Sequence, residues 1–400
     1  MVAMPMLLDK ERLWAHLRVL CEEIGPRLSG TTGDERAVQY IAAHFRRCGT
    51  RTEVQDFPCP SWDHEATELT LLGGDGPEPL DAVAQTFTES CDVEAPLLGV
   101  ASRHDLEFAP DLEGKVLVLA GEAATRINAD RNSTLLSAEE RRPAALVIIS
   151  PAAAVSTKLI RDPFLRVPAV AVSHAVGERL RQCDGRLVRL RIRARRYAST
   201  GHTVVGRTPG GESDRITVAA HYDTAAGVPG ATDNASGTAV LLALCEAFTA
   251  TSRRHFGIDF VAYGAEEYGR HEGNLGDVEY VRGNPVAVRR TRAVVEVDCV
   301  GTVAGPLTVH VLGWPPTRQQ EKDGVLDILR PLPTCIVNDR SGHPSARTAF
   351  HLPGVPALAF LDDYSRLPIH TAQDTINLMR PTALAAAAEI VAAAVSGLSS

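Results

Sequence analysis

Paired thiols are missing from this sequence. Its eight cysteines, Cys21, Cys48, Cys59, Cys91, Cys183, Cys245, Cys299 and Cys335, stand singly with no CxxC among them, so a thiolate metal centre is not indicated. In a chain of this size reduced thiols are expected rather than a disulfide framework. Runs of like charge are missing too. The net charge of -8 is dispersed along 400 residues, which argues against a nucleic-acid groove or a surface for anionic membranes. Neither nucleic acid nor membrane is therefore expected as a partner. No segment reads as the ~20 apolar residues of a membrane span; the best candidate, residues 144–155, contains Ser150 and Pro151. The opening MVAMPMLLDKERLWAHL is broken at Asp9-Lys10-Glu11-Arg12, and no basic region precedes its apolar stretch. A signal-peptide core is thus not read, and a cytoplasmic protein is expected. The sequence also carries no internal repeat and no low-complexity linker.

What is present is an ordinary globular composition, 44% hydrophobic and 22% charged, enough for a full core. At this length two domains, or one domain with a large insertion, are expected. Two helices open the chain. The first, over residues 9–24, aligns Leu13, Leu17, Leu20 and Ile24 on one stripe, and the second starts at a capping box, Thr32-x-x-Glu35. A strand follows near residues 52–57. From about residue 61 to 195 the texture changes to short strands between turn residues, clearest at 68–72, 115–120, 145–149 and 167–172, with only weak helical pieces. After residue 198 the pattern alternates: strand 216–220, helix 237–250, strands 256–263 and 293–297, then strand 357–361 and a closing helix 381–395. Continuous apolar strands alternating with helices indicate an α/β fold, a mostly parallel mixed sheet flanked by helices. The expected boundaries are 1–60 with 197–400 for this fold and 61–196 for a β-rich insertion.

Five metal-ligand candidates follow the strands of the second half: His221 in AAHYDT, Asp233 in GATDNASG, Glu267 in GAEEYG, Asp298 in VEVDCVG and His370 in IHTAQDT. In open α/β sheets ligands gather beyond the carboxyl ends of strands, and these positions obey that rule. Asp233 also precedes a helix start, where unpaired N–H groups favour negative charge. Each residue alone reads more often as a solvated or capping group than as a ligand. Jointly, two imidazoles and three carboxylates make a mixed N/O set that suits zinc. Cys299, beside Asp298, reads as a small buried strand residue.

The ordered set HYD, TDNASG, AEE, VDxxG and HTxxDT resembles the M28 family of co-catalytic zinc peptidases. The opening LCEEIGPRLSGTTGDERAVQYIAAHFRRCG resembles that family's amino-terminal helices. The strand pattern of LEGKVLVLAGE, RRPAALVIIS and RVPAVAVS resembles an inserted protease-associated (PA) domain. The resemblance implies a zinc aminopeptidase-like fold and two Zn2+ ions per chain. It implies that Asp233 bridges both ions, with His221 and Asp298 on one, and Glu267 and His370 on the other. It further implies Glu266 as general base, acting on a hydroxide shared by the ions, Asp223 as the carboxylate that orients His221, and a cis peptide at Asp233-Asn234.

Some positions depart from the family pattern. Ser341-Gly342-His343 stands where many relatives have Ser-Asp-His, and Ile369 where some have a tyrosine, leaving Tyr364 as the nearest aromatic. His343 reads as a cleft residue or a solvated one, and Asp374 as an orienter of His370 or a turn cap. The leading expectation is an aminopeptidase acting on peptides. A carboxypeptidase, with Arg340, Arg347 and Arg366 as cationic candidates, remains open, as do a glutaminyl-cyclase-like single-zinc acyltransferase and a binding module without catalysis.

Overall fold

The structure is a computed structural model and describes residues 8–74, 76–129, 133–210, 214–250, 256–269, 274–339, 349 and 354–398. The chain divides into two compact units, one formed by Met1–Cys59, Thr200–Glu266 and Glu272–Ser400, the other by Pro60–Ser199 and Glu267–His271. Two long strands, Arg51–Leu71 and Leu187–Arg207, carry the chain between them.

The first unit is built on three central strands, Arg215–His221, Gly257–Tyr263 and Thr291–Val297, with the first parallel to each of the other two. Ala357–Asp362 extends the sheet in parallel beside Thr291–Val297. Leu307–Leu312 then pairs antiparallel with Ala357–Asp362 and parallel with the edge strand Cys335–Asn338. On the other side, the end of Leu187–Arg207 runs antiparallel to Gly257–Tyr263.

Arg215–His221 and Gly257–Tyr263 are buried at every position, because their alternate residues serve two cores. Ile216, Val218 and Ala220 pack with the helices Lys10–Arg18, Thr32–Arg47, Ser236–Thr249 and Pro381–Leu398, whereas Ala219, Val261 and Tyr263 face Tyr280 and Val288. This double burial explains the unbroken apolar runs in the sequence. The closing helix Pro381–Leu398 is long and apolar enough to cross a membrane by length and composition, unlike the segment 144–155 singled out above. Leu384, Ala388, Val391 and Val395 bury it in the core.

The second unit corrects the expectation of a β-rich insertion. Cys91–Val100, Val116–Leu119, Ala145–Ile149 and Ala169–Val172 form a parallel sheet. The helices Arg103–Phe108, Gly121–Ala129, Ser133–Glu140 and His174–Arg181 lie between or after these strands, so the unit is α/β with an apolar cluster on each face. Its helices are six to nine residues long, too short for a firm 3.6-residue signal. The second helix of the chain also starts differently from expectation. Thr31, not Thr32, caps it, and Asp34 turns back to accept from Gly30 N at 2.9 Å.

Candidate metal centre

His221 ends its strand, 2% exposed, with its imidazole held between carboxylates. Nε2 lies 3.0 Å from Asp233 Oδ1 and 3.3 Å from Asp298 Oδ1, while Nδ1 faces Asp223 Oδ1 at 3.4 Å. That last distance is an ion-pair approach rather than a formed hydrogen bond, and Nδ1 otherwise has no partner. Burial by itself would depress the His221 pKa, but Asp223, Asp233 and Asp298 outweigh it and hold the pKa well above the usual value. The pocket is therefore electronegative and suited to a cation.

The other oxygen of Asp233, Oδ2, meets His370 Nε2 at 2.8 Å. The two imidazoles thus approach different oxygens of one carboxylate. Burial raises the Asp233 pKa, yet His221 and His370 override it and keep the group ionised. Offering one donor atom each, His221, Asp233 and Asp298 lie within 4.8 Å of one another, and Asp233, Glu267 and His370 do the same. The five candidates thus form two triads that share Asp233. Glu267 also makes a buried ion pair with Lys158. An ammonium on this carboxylate is consistent with a place for a cation.

The loops are held by a dense set of backbone contacts. Asn234 donates Nδ2 to Val297 O at 3.0 Å and accepts from Gly237 N and Cys299 N at 2.8 and 3.2 Å, tying the Asp233 loop to the turn after Asp298. A Cβ at Gly237 would sit 2.2 Å from the Val297 carbonyl oxygen, so only glycine allows this approach. The Asp233-Asn234 peptide is cis. Cys299 follows the strand instead of lying in it, in a left-handed conformation at φ 52°, and Ala265 and His370 share that conformation at 57°. Non-glycine residues in this region are strained, and here they are ligands or flank ligands.

Asp374 has a role that its sequence position did not suggest. Its carboxylate accepts from Thr232 N at 2.8 Å and Asp233 N at 3.1 Å, so it holds the backbone of the shared ligand. Burial, assisted by the charge of Asp233, pushes its pKa up to about 6. Asp223, fully enclosed, accepts from Glu266 N at 3.1 Å, and Asn274 Nδ2 donates to Glu266 Oε1. Tyr364 packs against the apolar cluster of Val261 and Leu361, and Arg366 is exposed. Arg340, Ser341, Gly342, His343 and Arg347 lie outside the described residues.

Sequence reasoning missed Arg27, whose side chain is completely buried with no carboxylate at bonding distance among the described residues. Its guanidinium donates to the carbonyls of Leu20, Gly25, Tyr222, Pro229 and Gly230 at 2.7–3.0 Å. Desolvation lowers its pKa to about 10, and the charges of Cys21, Asp223, Asp374 and Asp233 oppose that shift. Nearby, Ser29 Oγ accepts from Ala265 N at 2.8 Å, just before Glu266. The segment around residues 25–34 therefore braces both the His221 loop and the Glu266 loop. The only sequence signal was an arginine among turn residues in IGPRLSG, a pattern that usually marks solvated surface.

Residues 203–395 match Peptidase family M28. The Aminopeptidase YwaD of Bacillus subtilis (strain 168) is 26% identical over 397 residues, covering 94% of this chain and 82% of its own length. A zinc aminopeptidase from Bacillus subtilis has a TM-score of 0.78 at 23% identity, covering 98% of this chain and 96% of its own. A Peptidase M28 precursor from Shewanella amazonensis SB2B has a TM-score of 0.82 at 21% identity, with 98% and 93% covered. At such identities the structural likenesses establish the fold, a mixed, mostly parallel sheet flanked by helices. The stretch that matches Peptidase family M28, residues 203–395, contains His221, Asp233, Glu267, Asp298, His370 and Glu266.

Proposed function

We propose that the protein is a two-zinc aminopeptidase that releases amino-terminal residues from peptides, with Glu266 as general base. One observation carries the reading: His221 and His370 address opposite oxygens of Asp233, each with a further carboxylate in its triad. Two N/O triads sharing a carboxylate fit a pair of zinc ions in donor type and charge. Zinc held there would activate water and polarise the scissile carbonyl.

The chain's own groups do the rest. Asp223 keeps the His221 ring turned so that Nε2 faces Asp233 and Asp298. Asp374 fixes the backbone of Asp233. Glu266, steadied by Asn274 and by its own N–H on Asp223, takes the proton of the attacking water and passes it to the departing amine. The unit containing Pro60–Ser199 is read as a PA-like insertion, supported by the strand pattern LEGKVLVLAGE, RRPAALVIIS and RVPAVAVS.

The test is turnover of amino-blocked, carboxy-blocked and unblocked dipeptides, before and after chelation, alongside zinc content. Cleavage that requires a free amino terminus, vanishes with chelator and returns with at least two zinc ions per chain is expected. Pyroglutamate formation with one ion per chain, or cleavage that requires a free carboxyl terminus, would overturn the reading.

A further inference from the structure

Away from the residues of the peptidase centre, the first unit contains another cluster of metal-ligating side chains. His16 lies on the helix Lys10–Arg18, His44 on Thr32–Arg47 and Glu246 on Ser236–Thr249. Offering one donor atom each, the three come within 4.8 Å of one another. The imidazole rings of His16 and His44 are perpendicular, with centroids 4.6 Å apart. A second observation is independent of that proximity. His16 is 7% exposed, its Nδ1 lies 2.7 Å from the Tyr40 hydroxyl, and its Nε2 is buried with no hydrogen-bond partner. A buried nitrogen left unsatisfied is costly, and a ligand on it would remove the cost.

The surroundings fit a metal ion better than a plain core. The Leu242 carbonyl accepts from His44 Nε2 at 3.1 Å, which leaves the lone pair on Nδ1. Each imidazole thus has one nitrogen anchored by a protein oxygen, the arrangement that metal-binding histidines generally show. Cys48, four residues after His44, caps the same helix and lines the same cleft. A cleft of about 800 Å³ lined by His16, His44, Cys48 and Glu246 gives an ion access.

Two arginines also line this cleft. Arg12 reaches both Glu246 oxygens at 3.4 Å, and Arg47 reaches His44 Nδ1 at 3.4 Å. The Arg12 side chain is 65% exposed, and long exposed contacts of this kind are weak enough to yield to an ion.

We propose that His16, His44 and Glu246 form a further divalent transition-metal site between three helices. Two imidazoles and a carboxylate select zinc over magnesium or calcium, which want oxygen ligands alone.

The full-length protein is stripped with chelator, reloaded with Zn2+ alone, and its zinc per chain is measured. Wild type is expected to hold one ion more than Glu246→Gln, while turnover of an aminoacyl-nitroanilide by the two differs by less than about two-fold. Zinc should also raise the melting temperature of wild type more than that of Glu246→Gln, a readout that follows folding directly. Equal zinc content and equal zinc-dependent melting in wild type and Glu246→Gln would overturn the site.

Discussion

Glu266 and Glu267 are neighbours in the chain, yet their carboxylates have different company. Glu266 accepts from Asn274, whereas Glu267 pairs with Lys158 and joins the triad of Asp233 and His370. Their variants should therefore fail differently. Glu266→Gln is expected to lower kcat by about 10²–10⁴-fold with zinc content unchanged, as read by steady-state kinetics beside metal analysis. Glu267→Gln is expected to lose zinc as well as activity. If Glu266→Gln also lost its metal, the residue would be a ligand and not a base.

Asp34 offers a pH-dependent test at the same scale. It accepts from the Tyr222 hydroxyl at 2.7 Å and from Gly30 N, and burial, outweighing those bonds, raises its pKa to about 7. The folded state therefore binds this proton more tightly than the unfolded chain does. Its contribution to stability is complete below about pH 4 and declines as pH rises through about 7, by on the order of 4 kcal/mol in all. Denaturant midpoints at pH 5 and pH 8 should converge in Asp34→Asn relative to wild type. An unchanged pH slope in that variant would show that the carboxyl titrates normally.

Among the elements, the helix Leu275–Gly283 depends on one very close approach. A Cβ at Gly276 would lie 1.6 Å from the Gly264 carbonyl oxygen, so Gly276→Ala must push the helix away from the strand end. The cost is about 1–3 kcal/mol or more. Because Asn274 precedes this helix and holds Glu266, kcat should fall with little change in zinc content. Thermal melting and kinetics on the same preparation would check both effects. Retained stability and rate would mean that the helix does not approach so closely.

This element also shows where the sequence was silent. Its residues LGDVEYVRG mix glycine, charge and apolar groups without a clean period, so no helix was read there. The edge strand Cys335–Asn338 is mostly half-exposed, and it lacks the apolar run that marked Ala145–Ile149, whose expected and observed bounds coincide.

At the scale of the whole molecule, central strands were legible because burial on both faces writes itself as continuous apolar sequence. Ligand positions were legible because strand ends in an open sheet collect them. Arg27 and Lys158 were not, since they have partners 109 to 203 residues away, as with Lys158 and Glu267 or Arg27 and Gly230. The same dispersion couples metal to folding. Ligands drawn from five loops are gathered only in the native state, so zinc should stabilise the protein by about 2.7 kcal/mol at a hundred times its Kd. Melting temperature should rise with free zinc and fall with chelator. A melting curve indifferent to both would mean that the ligands are not gathered by folding.

The buried guanidinium of Arg27 bears on how the gene can be cut. The match to the peptidase family begins at residue 203, and an expression plasmid starting there would look reasonable on paper. Such a fragment would leave the carbonyls of Tyr222, Pro229 and Gly230 facing an empty hole, and Ala265 N without Ser29. It is expected to come out insoluble or inert, and supplying residues 1–60 as a separate peptide would be the way to learn whether the missing strut can be put back.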